Sequence, residues 1–230
     1  MAVVQTKGVT KDYSEHGHVT TRALRGVDLV VESSEFMAIA GPSGSGKTTL
    51  LNIIGALDVP TTGTVTIADR DLSGLSAQQL SDLRRDHIGF VFQAYNLFPV
   101  LTAAENAEYV MELKGVPGGE RRKRVKALFD KMGLSDYMDT KPLKMSGGQQ
   151  QRVAVARAIA AEPAVILADE PTANLDQETG KALIEMMRQL NQDRGVTFIF
   201  STHDPMVLNQ ADRVVKLVDG KITADERKSS

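Results

Sequence analysis

Short apolar runs, punctuated by glycine and proline, set the architecture of this chain. Phe36–Ala40 and Ile88–Phe92 read as buried strands. Val165–Ala168 and Thr197–Phe200 are continuous apolar runs of the kind found in parallel sheets covered on both faces. Val3–Thr10, Val27–Val31 and Thr64–Ile67 predict further short strands, the first two joined through the region of Gly17. Helical patterning runs over Ser76–Arg85 and, amphipathically, over Thr179–Asn191, which separates two of the buried strands. Between residues 95 and 155 the character changes: Glu105–Lys114, Gly119–Met132 and Gly148–Ala161 predict helices, with no convincing strand among them. The expected fold class is α/β, a mixed core with a helical insertion. The polar Asp225–Ser230 reads as a frayed end. There is no internal repeat and no sustained heptad.

One connection in this pattern carries chemistry. Gly41-Pro42-Ser43-Gly44-Ser45-Gly46-Lys47-Thr48, with Thr49 after it, fits the P-loop pattern G-x-x-x-x-G-K-[ST]. A glycine-rich turn lets backbone N–H groups close around phosphate oxygens without Cβ obstruction. Lys47 can reach the terminal phosphates and Thr48 can offer its hydroxyl to Mg²⁺. A helix starting near Lys47 adds the positive end of its dipole. The flanking order of strand, loop and helix is the context that makes the pattern specific. A nucleotide is the expected ligand.

Composition narrows the setting. The 230 residues carry a net charge of −2, without the basic surplus of a dedicated nucleic-acid binder. No cysteine is present, so there is no disulfide framework and no thiol chemistry. Met1-Ala-Val-Val-Gln5 lacks the charged and apolar regions of a signal peptide. The longest apolar stretch, Val153–Ala168, is broken by Arg157, Glu162 and Pro163, short of a bilayer span. Any work at a membrane therefore needs a partner to carry the chain there. Arg121–Arg124 reads as a solvated helix face, and His16 and His18 as surface residues.

Three further segments gain meaning beside the P-loop. The apolar strand Val165–Ala168 ends in Asp169 and Glu170. Read alone, that is equally a buried strand running into an acidic turn. Beside a nucleotide site, Asp169 suits the Mg²⁺-holding carboxylate and Glu170 a group that polarises a water. Ser146, Gly147 and Gly148 open a helix and are followed by Gln149. They make either a plain N-cap or a second anion-binding terminus. His203, in Ser201-Thr-His-Asp204, follows an apolar strand and by itself is an ordinary loop residue.

Together, and in this order, these segments resemble the ATP-binding subunit of an ABC transporter, from about Val3 to Gly220. Gly41–Thr48 is similar to Walker A, Gln93 to the Q-loop glutamine, Ser146–Gln149 to the signature, and Val165–Asp169 to Walker B. Glu170 resembles the catalytic glutamate, Asn174-Leu-Asp176 the D-loop and His203 the switch histidine. Tyr13 lies where the family places an aromatic that stacks on adenine. The resemblance implies an ABC ATPase domain over residues 1–230. Residues 1–94 and 156–224 would form the P-loop core with an N-terminal antiparallel β subdomain. Residues 95–155 would form the helical subdomain.

The resemblance also implies a mechanism. Two copies pair head to tail around two ATP molecules with Mg²⁺. Lys47 and the loop amides of one copy hold each ATP, and Ser146 and Gly148 of the other cover its γ-phosphate. Glu170 acts as general base or orients the water, His203 contacts the γ-phosphate, and Asp176 communicates across the interface. Gln93 senses the nucleotide and its metal and couples them to the insertion. Met145 replaces the usual signature leucine with a residue of similar apolar character, and Asn174 replaces a commoner serine.

Tyr95–Pro99, Leu101–Asn106 and Ala173–Asp176, with the stretch from Asp71 to Arg85, resemble one subgroup. It serves lipoprotein release, macrolide and peptide export, haem efflux and FtsE-type signalling. Its partners are FtsX-like membrane permeases, which would place the chain on the cytoplasmic face of the membrane as a peripheral subunit. The permease contact is expected around Gln93–Glu105, with Leu97 and Phe98 in it. An importer ATPase, a soluble ABC ATPase and a purely regulatory role remain open alternatives.

Overall fold

The computed structural model describes residues 1–15 and 18–228. The expected turn at Gly17, together with His16 and Ser229–Ser230, lies outside the described residues. The chain begins with two long strands, β1 (Ala2–Glu15) and β2 (His18–Glu32), then β3 (Phe36–Ala40) and helix α1 (Lys47–Ile54). Next come β4 (Thr62–Ile67), β5 (Arg70–Asp71), α2 (Ala77–His87) and β6 (Ile88–Val91). The helical segment holds α3 (Ala103–Leu113), α4 (Gly118–Met132) and α5 (Gly147–Ala160). The chain closes with β7 (Val165–Asp169), α6 (Gln177–Arg194), β8 (Phe198–Thr202), α7 (Pro205–Gln210), β9 (Arg213–Val218) and β10 (Lys221–Arg227). Helix α5 runs unbroken through residue 155, the expected end of the helical segment.

The strands form two sheets. An antiparallel sheet has the order β2-β1-β4-β5, and a larger one the order β10-β9-β3-β8-β7-β6. In the larger sheet all neighbouring strands are parallel except the β9–β10 hairpin. Its central strands are covered on both faces, and the period of two distributes their side chains. Phe36, Ala38, Ile166, Phe198 and Phe200 face a core built with α3, α4, α5 and α6. Met37, Ile39, Leu167 and Ile199 face a second core built with α1 and the antiparallel sheet. The parallel strands point the same way, so their C-terminal ends gather on one edge. The register pairs Ala40 with Thr202 and Asp169 with Ser201. The P-loop, the Asp169–Glu170 pair and His203 are thereby brought to one edge, the usual ligand position in such sheets.

Two strand expectations need correction. The N-terminal strands are much longer than Val3–Thr10 and Val27–Val31, because polar residues such as Lys11, Asp12 and Arg22 continue the pairing as a ribbon. Nor is the C-terminal segment frayed from Asp225: Asp225–Arg227 belong to β10, and Lys228 N–H donates to Asp212 O. The reason is Arg213, which is buried. Its Nε and Nη2 donate to Asp225 Oδ1 (2.7 Å) and Oδ2 (2.6 Å), while Nη1 donates to Glu35 Oε2 (3.0 Å) and Val30 O (2.7 Å). The Asp225 and Glu35 hydrogen bonds raise the Arg213 pKa further above its ordinary value despite burial. One guanidinium thus joins both strands of the hairpin to the end of β2 and the start of β3. Arg213→Ala would strip that charge from two carboxylates and is expected to cost about 3 kcal/mol. Urea denaturation checks this, and a loss below ~1 kcal/mol, the level of a surface pair, would contradict it.

Candidate functional site

The P-loop is built by the two elements it joins. Gly46, at φ 101°, is the residue before α1, a conformation an L side chain rarely adopts. A Cβ there would sit 2.6 Å from Ala23 O, and one on Gly41 would sit 2.1 Å from Leu217 O. Glycine is therefore required both for the turn and for the close approach of β2 and β9. Lys47 is nearly buried, and its Nζ donates to Gly41 O (2.8 Å) and Pro42 O (3.0 Å). The ammonium is held inside its own loop, at the N-terminus of α1.

A cleft of about 860 Å³ opens on this loop, lined by Pro42–Thr49 and by Tyr13, Glu170 and His203. Its volume suits a nucleotide-sized ligand. Gly41, Asp169 and Gln93 lie outside that lining. Asp169 still reaches the loop, since Thr48 Oγ1 donates to its Oδ1 at 3.3 Å. Gln93 follows β6 and is exposed, and its carbonyl accepts from Asn174 Nδ2 (2.9 Å).

Tyr13 stands at one wall of the cleft, braced from behind. Its hydroxyl donates to Asp58 Oδ2 (3.0 Å), and Lys11 Nζ sits 5.0 Å from its ring centroid and donates to Asp58 Oδ1 (2.6 Å). Partial burial raises the Asp58 pKa, but hydrogen bonds from Lys11, the Val59 N–H and Tyr13 outweigh it and hold the carboxyl below its ordinary value. Sequence reasoning missed Lys11 and Asp58. They lie 47 positions apart, and nothing but the lysine–tyrosine alternation along β1 hinted at them.

Glu170 is held firmly. It occupies the left-handed region at φ 44°, and its N–H donates to Ser201 O (2.9 Å). Thr202 Oγ1 donates to Glu170 Oε2 (3.0 Å), and His203 Nδ1 lies 2.6 Å from Oε1. An ionised carboxylate only accepts, so Nδ1 carries the proton in this contact. The structure therefore brings Tyr13, the P-loop, Asp169, Glu170 and His203 together.

It does not bring Ser146–Gln149 to them. These residues begin α5 and lie outside the cleft. The Ser146 side chain accepts from Gln149 N–H (3.3 Å) and Gln149 Oε1 accepts from Ser146 N–H (2.9 Å), a capping box that engages both side chains in shaping the helix start. Asp176 likewise caps α6, accepting from Thr179 N–H (2.9 Å), and hydrogen bonding by Thr179 lowers its pKa.

Farther along α5, buried Gln151 donates to Pro171 O (2.9 Å) and Phe92 O (3.4 Å). Arg157, whose pKa burial lowers, donates to Asn96 O (2.6 Å) and Tyr95 O (3.0 Å). One helix thus spans the Ser146 terminus, the segment after Glu170 and the segment after Gln93. Neither was marked by the sequence as a support: Gln151 read as a helix position and Arg157 only as a break in an apolar stretch.

The sequence compares closely with known proteins. The family described as ABC transporter matches residues 24–173. The chain is 47% identical over 221 residues to the lipoprotein-releasing system ATP-binding protein LolD 1 of Rhodopseudomonas palustris, covering 96% of this chain and 98% of that protein. It is 46% identical to the macrolide export ATP-binding/permease protein MacB of the same species, over 97% of this chain and 34% of that longer protein. Among solved structures, the ATP-binding cassette MJ0796 of Methanocaldococcus jannaschii, a dimer in a post-hydrolysis state bound to ADP and Pi, superposes with a TM-score of 0.89 at 43% identity, covering 99% of both chains. With the P-loop, the Asp169–Glu170 pair and His203 on one sheet edge, these matches place the chain in the ABC transporter family, as an ATPase subunit of the subgroup that includes LolD and MacB.

Proposed function

We propose that two copies of this chain pair head to tail around two ATP molecules, and that closure and hydrolysis drive mechanical work through an FtsX-like permease on the inner face of the membrane. The observation that carries this reading is the division of the site. The cleft gathers Pro42–Thr49, Glu170 and His203, whereas the second phosphate-type terminus, at Ser146, lies outside it. A second copy presenting Ser146, Gly147 and Gly148 over the cleft would complete it, with Gln149 supporting that terminus from within. The solved MJ0796 relative is itself a dimer. No helix of the described residues is long and apolar enough to cross a membrane, so a permease would supply the path.

In this reading Lys47 and the loop amides hold the terminal phosphates, and Tyr13 stacks on the adenine. Thr48 and Asp169 fit Mg²⁺: a hydroxyl and a carboxylate 3.3 Å apart are hard oxygen donors. Among the described residues no cluster of three His, Cys, Asp or Glu could hold a metal by itself. That suits an ion bound by few side chains and completed by phosphate and water, with Gln93 as a further ligand. Mg²⁺ would supply charge neutralisation on the phosphates. Glu170 takes or orients the proton of the attacking water, His203 contacts the γ-phosphate, and Asp176 relays across the dimer interface. Catalysis is then positioning and charge stabilisation. We further propose residues 1–230 as one ABC ATPase domain, with 1–94 and 156–224 as core and β subdomain and 95–155 as the helical subdomain.

A groove of about 400 Å³ fits the permease contact. Phe92, Phe98, Tyr109 and Leu113 line it, with Arg84 and Arg157. Buried Asn106 shapes the loop beside it, accepting from Phe98 N–H (2.8 Å) and donating to Phe98 O (3.1 Å) and Thr102 O (2.9 Å). Leu97 packs against the core, which leaves Phe98 as the exposed anchor. Phe98→Asp should lower recovery of the permease with the tagged protein from native membranes by at least about tenfold, since an aromatic anchor is replaced by a charge. Mass spectrometry of the captured chains reads the result. Recovery at wild-type yield would remove this groove from the contact, and capture of an importer permease would overturn the FtsX-like assignment.

A further inference from the structure

We propose that Thr202 is a positioning residue for hydrolysis: it anchors Oε2 of Glu170 so that Oε1 faces the attacking water. The inference rests on the reading of Glu170 as the group that activates or orients that water. Glu170 has two side-chain partners of different character. His203, which donates to Oε1, is 75% exposed, while Thr202, which donates to Oε2, is fully buried at the end of β8. The exposed partner is also the one proposed to contact the γ-phosphate. When it does, Oε1 is released to accept from water, and the Thr202 contact keeps the carboxylate from swinging.

The direction of the Thr202 proton is fixed by what surrounds it. A hydroxyl has one hydrogen to give. Thr202 Oγ1 accepts from Asp204 N–H (3.0 Å), which leaves its own hydrogen for Glu170. Asp204 is in turn held by Thr172, whose Oγ1 donates to Oδ2 (2.7 Å), and by Met206 N–H, which donates to Oδ1 (2.9 Å). Thr172 lies two positions beyond Glu170 on the chain. The ring from Glu170 through Thr202, Asp204 and Thr172 therefore ties the ends of β7 and β8 to each other. Such support suits a carboxylate whose backbone is itself in a sparsely populated region (φ 44°).

Two variants of Thr202 separate its hydroxyl from its bulk. Thr202→Val keeps the volume and removes the hydroxyl, and Thr202→Ser does the reverse. ATPase rates of the full chain are measured across ATP concentrations, with Glu170→Gln assayed alongside. Thr202→Val should lower kcat by about tenfold with KM for ATP within about twofold, and Thr202→Ser should stay within about threefold of wild type. A valine variant as fast as wild type, with Glu170→Gln inactive, would overturn the anchoring role and leave the Glu170 reading standing. A serine variant as slow as the valine variant would overturn it too, since packing would then explain both. Wild-type turnover by Glu170→Gln would instead remove Glu170 from the mechanism, and this inference with it.

Discussion

Glu170→Gln should leave ATP bound and all but stop its hydrolysis: turnover is expected to fall by roughly 100-fold or more, within the range for removing a general base. The substitution conserves shape and removes the charge. An amide cannot take a proton from water at neutral pH, and it presents one acceptor where the carboxylate presents two. Thr202 and His203 both donate to the carboxylate, so the amide leaves one of them facing a donor. The loop cation and α1 are untouched, so affinity for ATP should persist. With Glu170 beside the γ-phosphate, as proposed, removing its negative charge also relieves repulsion in the closed state. The variant should therefore accumulate as an ATP-bound dimer, visible by size exclusion with ATP and absent with ADP. Phosphate release at the wild-type rate would exclude Glu170 from the chemistry.

The elements that place this site were legible because they are buried on both faces. Phe36–Ala40, Val165–Ala168 and Phe198–Phe200 are apolar at every position and buried throughout, and such continuous apolar runs announce parallel strands. The β9–β10 hairpin gave no such signal. β9 alternates buried and exposed positions, β10 is half-buried at best, and Arg213 looks from sequence like a solvent charge. Its pairing is secured by Arg213–Asp225 and Lys216–Glu226, contacts that exist only once the register is set. The long β1–β2 ribbon escaped for a similar reason: polar side chains on a solvated face leave no periodic apolar trace.

Within the site, the motif residues were legible and their supports were not. Lys47, Asp169, Glu170 and His203 fall in short local patterns whose spacing is fixed by a turn or a strand end. Lys11 and Asp58 behind Tyr13, and Thr172 and Asp204 behind Thr202, act across strands and loops, where sequence separation says nothing of distance. Thr202 did carry one signal. It is a polar residue that ends an apolar strand beside His203, a place where a buried hydroxyl needs a partner.

Lys47→Ala is expected to act on the other half of the reaction, weakening ATP binding by roughly 100-fold, the loss of one charge-assisted contact of about 2–3 kcal/mol to phosphate. Nζ already donates to Gly41 O and Pro42 O, so the ammonium also organises the loop whose amides are proposed to meet the phosphates. Truncation therefore removes a positive charge, takes the ammonium from Gly41 O and leaves Pro42 O with the Ser45 N–H alone. The two effects are separable. Loss of loop order lowers the thermal midpoint of the protein without nucleotide, whereas loss of the phosphate contact shrinks the increase that saturating wild-type levels of ATP produce. Calorimetric titration should give the weakened Kd, and the ATP-induced thermal shift should nearly vanish. Lys47→Arg should not restore it, because a planar fork cannot occupy the point position that a lysine ammonium fills between two carbonyls of a tight loop. ATP affinity preserved in Lys47→Ala would mean that the amides and the α1 terminus suffice for binding. Lys47 would then belong with Glu170 to turnover, and the division of labour across the cleft would fail.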